Sequence, residues 1–198
     1  MSDDKPLEPW RLVESKYAYA DRWLKLRSDT VILPDGKTLS PYHVIEAADW
    51  VNVVPISEEG NVILVEQYRH AVGHNMLEFP AGHVDPQEEP EAAMRRELLE
   101  ETGYGGGTWY STGTLHPAAS RLANQVHIYA AIGVRRVAEP RRDSSEDMRM
   151  HEIPWADFVA GLHSGRLRLR EANQMSAVFL LHLKACEGTV PALSPYRV

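Results

Sequence analysis

Cysteine is almost absent: Cys186 is the only one in 198 residues. That excludes an intrachain disulfide framework and any zinc site built from several thiolates. Long apolar runs are missing too, and no stretch approaches the ~18–20 consecutive apolar residues of a membrane-spanning helix. Basic excess is lacking, since 21 Lys plus Arg stand against 28 Asp plus Glu, a formal charge of −7. Non-specific nucleic-acid binding needs cationic surface, so no nucleic-acid partner is expected. The opening Met1-Ser2-Asp3-Asp4-Lys5-Pro6 has neither a basic n-region nor an apolar h-region, and a cytoplasmic protein without membrane attachment is the expectation. What is present is 43% hydrophobic and 25% charged residues, enough for a packed core. At the usual ~100–200 residues per domain, the length suits one domain with an appendage.

Trp10 to Ile45 reads as strands. Val31-Ile32-Leu33 and Thr38-Leu39 flank Pro34-Asp35-Gly36-Lys37, which is hairpin-turn chemistry. Tyr17, Tyr19, Trp23 and Leu24 suit a half-buried sheet. A second hairpin follows, from Val51–Ile56 through Ser57-Glu58-Glu59-Gly60 to Asn61–Val65. Pro90 to Thr102 is the clearest helix: Pro90 fits the first turn, Glu88, Glu89 and Glu91 its positive end, and Gly103 its stop. Gly105-Gly106-Gly107 then predicts a loop. Trp109–Leu115 and Val126–Val137 read as strands, Arg135–Asp147 as a polar loop, Trp155–His163 and Glu171–Ala185 as helices. The expected division is a β-rich segment over 1–46, a main domain over 47–185 and a tail over 186–198.

The chemistry concentrates between Gly82 and Tyr104. Five residues separate Gly82 from Glu88, and seven more precede Arg96-Glu97-Leu98-Leu99-Glu100-Glu101-Thr102-Gly103-Tyr104. Helical side chains step by ~100°, so Glu97, Glu100 and Glu101, at i, i+3 and i+4, share a face. Like charges so placed cost an isolated helix ~0.2–0.5 kcal/mol per pair. A cation between them would remove that cost, and clustered carboxylates are the hard oxygen ligands that Mg²⁺ or Mn²⁺ prefers. Taken alone, such a face is more often solvated surface, with Arg96 and Glu100 as an i, i+4 pair.

The whole pattern resembles the Nudix hydrolase signature, Gly-x5-Glu-x7-Arg-Glu-U-x-Glu-Glu-x-Gly-U, where U is a bulky aliphatic residue. Every fixed position is matched except the last, where Tyr104 is aromatic. Average residue frequencies make such a match by chance an event on the order of 10⁻⁷ per chain. Trp50-Val51-Asn52-Val53-Val54, Glu66-Gln67-Tyr68-Arg69, Leu77-Glu78-Phe79-Pro80-Ala81-Gly82 and Glu146-Asp147-Met148-Arg149-Met150-His151 are similar to the ADP-ribose and nucleoside diphosphate sugar pyrophosphatase branch. Two departures stand out. Gln87 occupies a position where members often have Gly, and Ala118-Ala119-Ser120-Arg121 after Pro117 lacks the Gly and acidic residue of ADP-ribose enzymes.

The resemblance implies an α/β fold: an α/β/α sandwich on a mixed sheet, with an antiparallel β appendage that exchanges across a homodimer and helps build the partner's site. It implies metal ligation by Glu97, Glu100, Glu101 and the carbonyl of Ala81, with Glu88 close by and Arg96 holding a carboxylate. Glu100 and Arg96 thereby join the catalytic set. Magnesium is the expected ion, with manganese as a substitute. The implied reaction is hydrolysis of a nucleoside diphosphate sugar, ADP-ribose leading, to a nucleoside monophosphate and a sugar phosphate. Rival readings are hydrolysis of other nucleoside di- or triphosphates, or a nucleotide-sugar sensor without turnover.

Several side chains carry two readings. Arg69 either clamps a phosphate oxygen or ends its strand in a salt bridge. Glu78 supports the metal ligands or pairs with Arg69. Glu146 deprotonates the attacking water or is solvated loop charge, with Asp147 and Glu152 as competitors. Trp23, Tyr17 and Trp50 stack on a nucleobase or belong to core and interface. Dedicated ligation by His70, His74, His83, His116 or His151 is not expected beside oxygen-rich chemistry.

Overall fold

The computed structural model describes residues 6–142 and 147–198. They divide into two compact units: residues up to Ala47 with Ala118–Asn124, and Ala48–Pro117 with Gln125–Val198. No helix among the described residues is long and apolar enough to cross a membrane.

In the first unit, β1 (Arg11–Ala20), β2 (Lys25–Ile32) and β3 (Thr38–Glu46) form an antiparallel sheet in chain order. The β2–β3 connection closes as its residues dictate. Gly36 takes φ +86°, Asp35 Oδ1 accepts from the Lys37 amide at 3.0 Å, and the Leu33 amide reaches the Lys37 carbonyl. Residues 118–124 join this unit from far along the chain. The Ile45 amide donates to the Arg121 carbonyl at 2.8 Å, and the Tyr42 hydroxyl donates to the Ser120 carbonyl. Arg121 lies over the Tyr42 ring and donates to the His43 carbonyl. Every residue of β1 is exposed.

The second unit holds β4 (Trp50–Ser57), β5 (Asn61–Arg69), β6 (His74–Glu78), β7 (Ala81–His83), α1 (Pro90–Thr102), β8 (Tyr104–Leu115), β9 (Val126–Arg136), β10 (Met148–Pro154), α2 (Trp155–His163) and α3 (Ala172–Glu187). The sheet order is β10-β5-β4-β9-β8, with β6 on β5 and β7 on β4. The β4–β9 pair is parallel and the others are antiparallel, so the sheet is mixed. Successive side chains of a strand face opposite ways. Val51 and Val53 therefore pack with Ala93, Met94 and Leu98 of α1, while Val54 and Ile56 pack with Ala177, Val178 and Leu181 of α3 and Phe158 of α2. Helices on both faces explain why the central strand is a nearly unbroken apolar run. The α/β/α sandwich is the architecture the sequence implied.

Helix α1 has the bounds its caps foretell, Pro90 to Thr102, with Gly103 at φ +75° donating back to the Leu99 carbonyl at 2.8 Å. Two expectations fail. The glycine triplet is not a loop: β8 runs through it, with Gly105 opposite Arg135 and Gly106 opposite Val134. The β9 ladder holds the chain there, and glycine tolerates the left-handed φ of +72° at Gly106 and +68° at Gly107. The C-terminal stretch is not peripheral either. Leu193, in a 3₁₀ turn over Pro191–Leu193, is fully buried in the core beside α3, with Tyr196 and Val198 packed against that core. Leu193→Ala leaves a cavity where a core leucine sat, and should cost roughly 2–5 kcal/mol in urea-unfolding free energy.

Candidate active site

The site begins with a close backbone approach. Strand β7 pairs with β4, Asn52 opposite Ala81 and Val51 opposite Gly82, which lays the Ala81-Gly82 backbone beside α1. A Cβ on Gly82 would sit 2.1 Å from Cδ and 2.2 Å from Oε1 of Glu97. Only glycine lets that carboxylate lie against the strand.

Arg96 organises the acidic groups. Its Nε and Nη2 donate to Glu88 Oε1 and Oε2 at 3.1 and 2.9 Å, a bidentate fork. Its Nη1 reaches Glu97 Oε1 at 2.8 Å and Glu100 Oε2 at 3.2 Å, and Nη2 also meets the His83 carbonyl. Hydrogen bonding to Arg96 holds the Glu88 carboxyl below its ordinary range, and the same bond raises the guanidinium. Glu101 is 2% exposed and turns inward with Met94 and Leu98, while Ala92 and Leu99 lie on the solvent side.

Glu97 and Glu101 line a cavity of about 770 Å³ together with Ala81, Gly82, Trp50 and Asn52. Its other wall carries Arg69, Glu78, Glu171 and Gln174. Arg69 donates from Nε and Nη2 to the two oxygens of buried Glu78, at 3.0 and 2.6 Å, and Gln67 Nε2 adds a bond at 3.2 Å. The Arg69–Glu78 pairing weighed from the sequence is therefore present, and the cavity edge of the half-exposed guanidinium still faces the space. Its pKa is raised by the bond to Glu78.

The structure brings Ala81, Glu97, Glu101, Arg69, Glu78 and Trp50 to one cavity. Glu100 is not on its lining and turns to Arg96. Trp23 belongs to the first unit, 79% exposed with Arg22 over its ring. Glu146 lies outside the described residues. Of its competitors, Asp147 is exposed, whereas Glu152 accepts a 2.7 Å hydrogen bond from Tyr104. That contact explains how an aromatic residue ends the signature. The Tyr104 ring is buried against α1's core, its hydroxyl finds a carboxylate, and burial first and Glu152 second push its pKa up to about 12.

Sequence reasoning missed Asn52, Glu171 and Gln174. Asn52 is 2% exposed, and its Oδ1 and the Trp50 Nε1 are buried without a hydrogen-bond partner among the described residues. A polar residue inside the apolar run Val51-Asn52-Val53 was the available signal. Glu171 and Gln174 stand at the start of α3, and nothing local marked them. Gln174 Oε1 accepts from the Phe79 amide at 2.6 Å, tying the Glu78–Ala81 segment to the helix. The Glu171 carboxyl is raised, by burial first and then by Glu78.

Residues 48–173 match the NUDIX domain family profile, and residues 10–45 match that of the nucleoside diphosphate sugar hydrolase N-terminal domain. An ADP-ribose pyrophosphatase of Mycobacterium tuberculosis is 33% identical over 157 residues, covering 78% of this chain and 75% of that protein. One from Bacillus subtilis is 28% identical, covering 88% and 93%. A crystal structure described as an ADP compounds hydrolase superposes with a TM-score of 0.79 at 23% identity, over 93% of this chain and 98% of that one, and bears on the fold. The chain belongs to the Nudix hydrolase family.

Nudix hydrolases generally use divalent metal ions. The residues here fit such an ion: two carboxylates and a main-chain carbonyl segment, all hard oxygen donors, meet at a glycine that keeps the approach open. Among the described residues no three acidic, histidine or cysteine side chains are already gathered as a chelate, because Arg96 draws Glu97 and Glu100 to itself.

The loop into α1 carries local strain. Gln87 has φ +71° and is the one non-glycine residue with positive φ among those described. The left-handed region costs a residue with a Cβ roughly 1–2 kcal/mol, partly offset by glycine's larger unfolded-state entropy. Gln87→Gly should raise the urea-unfolding free energy by about 0.5–1 kcal/mol. Gln87→Ala, which keeps the Cβ, should give no such gain.

Proposed function

We propose that the chain hydrolyses the pyrophosphate bond of nucleoside diphosphate sugars, with ADP-ribose the leading substrate, giving a nucleoside monophosphate and a sugar phosphate. The observation that carries this reading is the cavity in which Glu97 and Glu101 beside Ala81 face Arg69. The N-terminal match to nucleoside diphosphate sugar hydrolases and the printed activity of the relatives support the substrate class.

A diphosphate entering a carboxylate-lined space is repelled by ~4 kcal/mol per charge pair at 4 Å and an effective dielectric near 20. Glu97, Glu100, Glu101 and the Ala81 carbonyl would hold a divalent cation, magnesium with manganese as substitute, which would offset this repulsion and acidify the attacking water. Arg69 donates from its cavity edge to a phosphate oxygen while Glu78 fixes its plane. Glu146 takes the water proton as the new P–O bond forms and the P–O–P bridge opens. Trp50 stacks on the base, and its Nε1 and the Asn52 Oδ1 find partners in the bound ligand. Arg96 keeps Glu100 and Glu97 oriented.

The test compares kcat/KM for ADP-ribose, ADP-glucose, GDP-mannose and a deoxynucleoside triphosphate. The diphosphate sugars should lead, and a triphosphate ahead by more than about tenfold would remove the branch assignment. Glu101→Gln should lower turnover about a hundredfold with folding intact, and excess chelator should abolish it. Full activity in chelator overturns the metal-dependent mechanism.

The first unit has three strands, too few for an independent core, yet exposes Trp10, Leu12, Val13, Tyr17, Tyr19 and Trp23. A second copy covering that surface gives a two-fold dimer, with Trp23 offered to the partner's site. Light scattering at micromolar concentration should return twice the chain mass, and Tyr17→Asp with Leu12→Asp should return one.

A further inference from the structure

Between α2 and α3 the chain runs Arg166-Leu167-Arg168-Leu169-Arg170. The alternation is that of an extended segment. Leu169 is buried in the core and Leu167 packs against it, while all three arginines are exposed. The three line a depression of about 540 Å³ with His74, Asn75 and Met76. In a chain of net charge −7, this is a local concentration of positive charge.

The partners of these guanidiniums are weak ones. Arg166 reaches the Asp157 carbonyl at 3.4 Å and Arg168 the Gly165 carbonyl at 3.1 Å. Arg170 Nη1 meets His74 Nε2 at 3.2 Å, and His74 Nδ1 lies 3.0 Å from the Val72 carbonyl. The tautomer consistent with both contacts has Nδ1 donating to Val72 and Nε2 accepting from Arg170, so His74 orients the guanidinium. The neighbouring Glu171 is hydrogen-bonded to Gln174, with Arg69 favouring its charge and Glu78 opposing it. Most of the donors of Arg166, Arg168 and Arg170 therefore face solvent in the depression. Planar guanidinium forks match a phosphate dianion.

Arg170 and Met76 also line the catalytic cavity, so the two spaces adjoin. Trp50 lines the cavity but not the depression, whereas Met76 and Arg170 line both. With the base on Trp50, the sugar end of the substrate points toward the arginines. We infer that Arg166, Arg168 and Arg170 form a subsite for a phosphate monoester carried on the sugar end of the substrate, which makes phosphorylated nucleoside diphosphate sugars preferred substrates. This rests on the proposed pyrophosphatase reading.

The experiment compares parent and the double variant Arg166→Gln/Arg168→Gln, neither residue being on the catalytic cavity. Substrates are ADP-ribose, ADP-ribose 1″-phosphate and, with its extra phosphate at the adenosine end, ADP-ribose 2′-phosphate; inorganic phosphate serves as competitor. The parent should favour the 1″-phosphate over ADP-ribose by about tenfold or more in kcat/KM, as expected for new charge-assisted hydrogen bonds. The variant should lose that preference, keep its activity on ADP-ribose and show no change with the 2′-phosphate. Equal kcat/KM for the 1″-phosphate and ADP-ribose in the parent overturns the inference. So does a preference the variant retains, or a variant effect confined to inhibition by inorganic phosphate, which would mark a site for the free ion. If the parent hydrolyses none of these compounds, the pyrophosphatase reading fails on its own. Calorimetric binding of ADP-ribose 1″-phosphate against ADP-ribose to both proteins then decides the subsite, which stands only if the parent binds the 1″-phosphate more tightly and the variant does not.

Discussion

Everything in the second unit turns on crowding negative charge against one helix without letting it push the helix away. Glu88, Glu97 and Glu100 converge on Arg96, and all three bond to its guanidinium. A lysine could not do this. Its ammonium has no fork, so it could not meet Glu88 with two parallel bonds and still reach Glu97 and Glu100. The guanidinium fixes where the loop before α1 ends, because Glu88 belongs to that loop and Arg96 to the helix. It also fixes the height of α1 against β7, because Glu97 must pass the Gly82 backbone at a distance no side chain would permit.

The same arrangement sets Glu101 apart. It is the most buried of the signature carboxylates and faces inward in line with Met94 and Leu98. A carboxylate so placed is held by the apolar contacts of its helix, and the core that anchors α1 is therefore also what aims the acid. Packing and chemistry share one helix face here, which limits how freely either can be substituted.

How much of this was legible depended on whether the information was local. Helix α1 could be read to its terminal residues, because Pro90, the first-turn acids and Gly103 each act on their own turn. Spacing put Glu97, Glu100 and Glu101 on one face, and of these Glu97 and Glu101 line the cavity while Glu100 turns to Arg96. The strain at Gln87 was foreshadowed by the missing glycine, since left-handed backbone is a property of one residue. The failures are non-local. Gly105–Gly107 have strong turn composition, but β9 supplies partners on the other side and the ladder prevails. Leu193 sits among Pro and Ser residues that promise a loose end, and only the assembled core shows the hole it fills. Residues 118–124 join the first unit through backbone bonds to Ile45, which no composition encodes. Glu171 and Gln174 enter the cavity from more than 80 positions beyond Glu88, carried by the sandwich rather than by a motif.

The two walls of the cavity are consequently of different kinds. One is the signature, where spacing on a single helix guarantees the geometry and variation would destroy it. The other is assembled from β5, β6 and the approach to α3, where each residue is held by a separate tertiary contact: Arg69 by Glu78, the Glu78–Ala81 segment by Gln174, Arg170 by His74. The residues of the second wall can change one at a time without disturbing α1. The sequence motif therefore describes only the wall whose geometry a single helix sets.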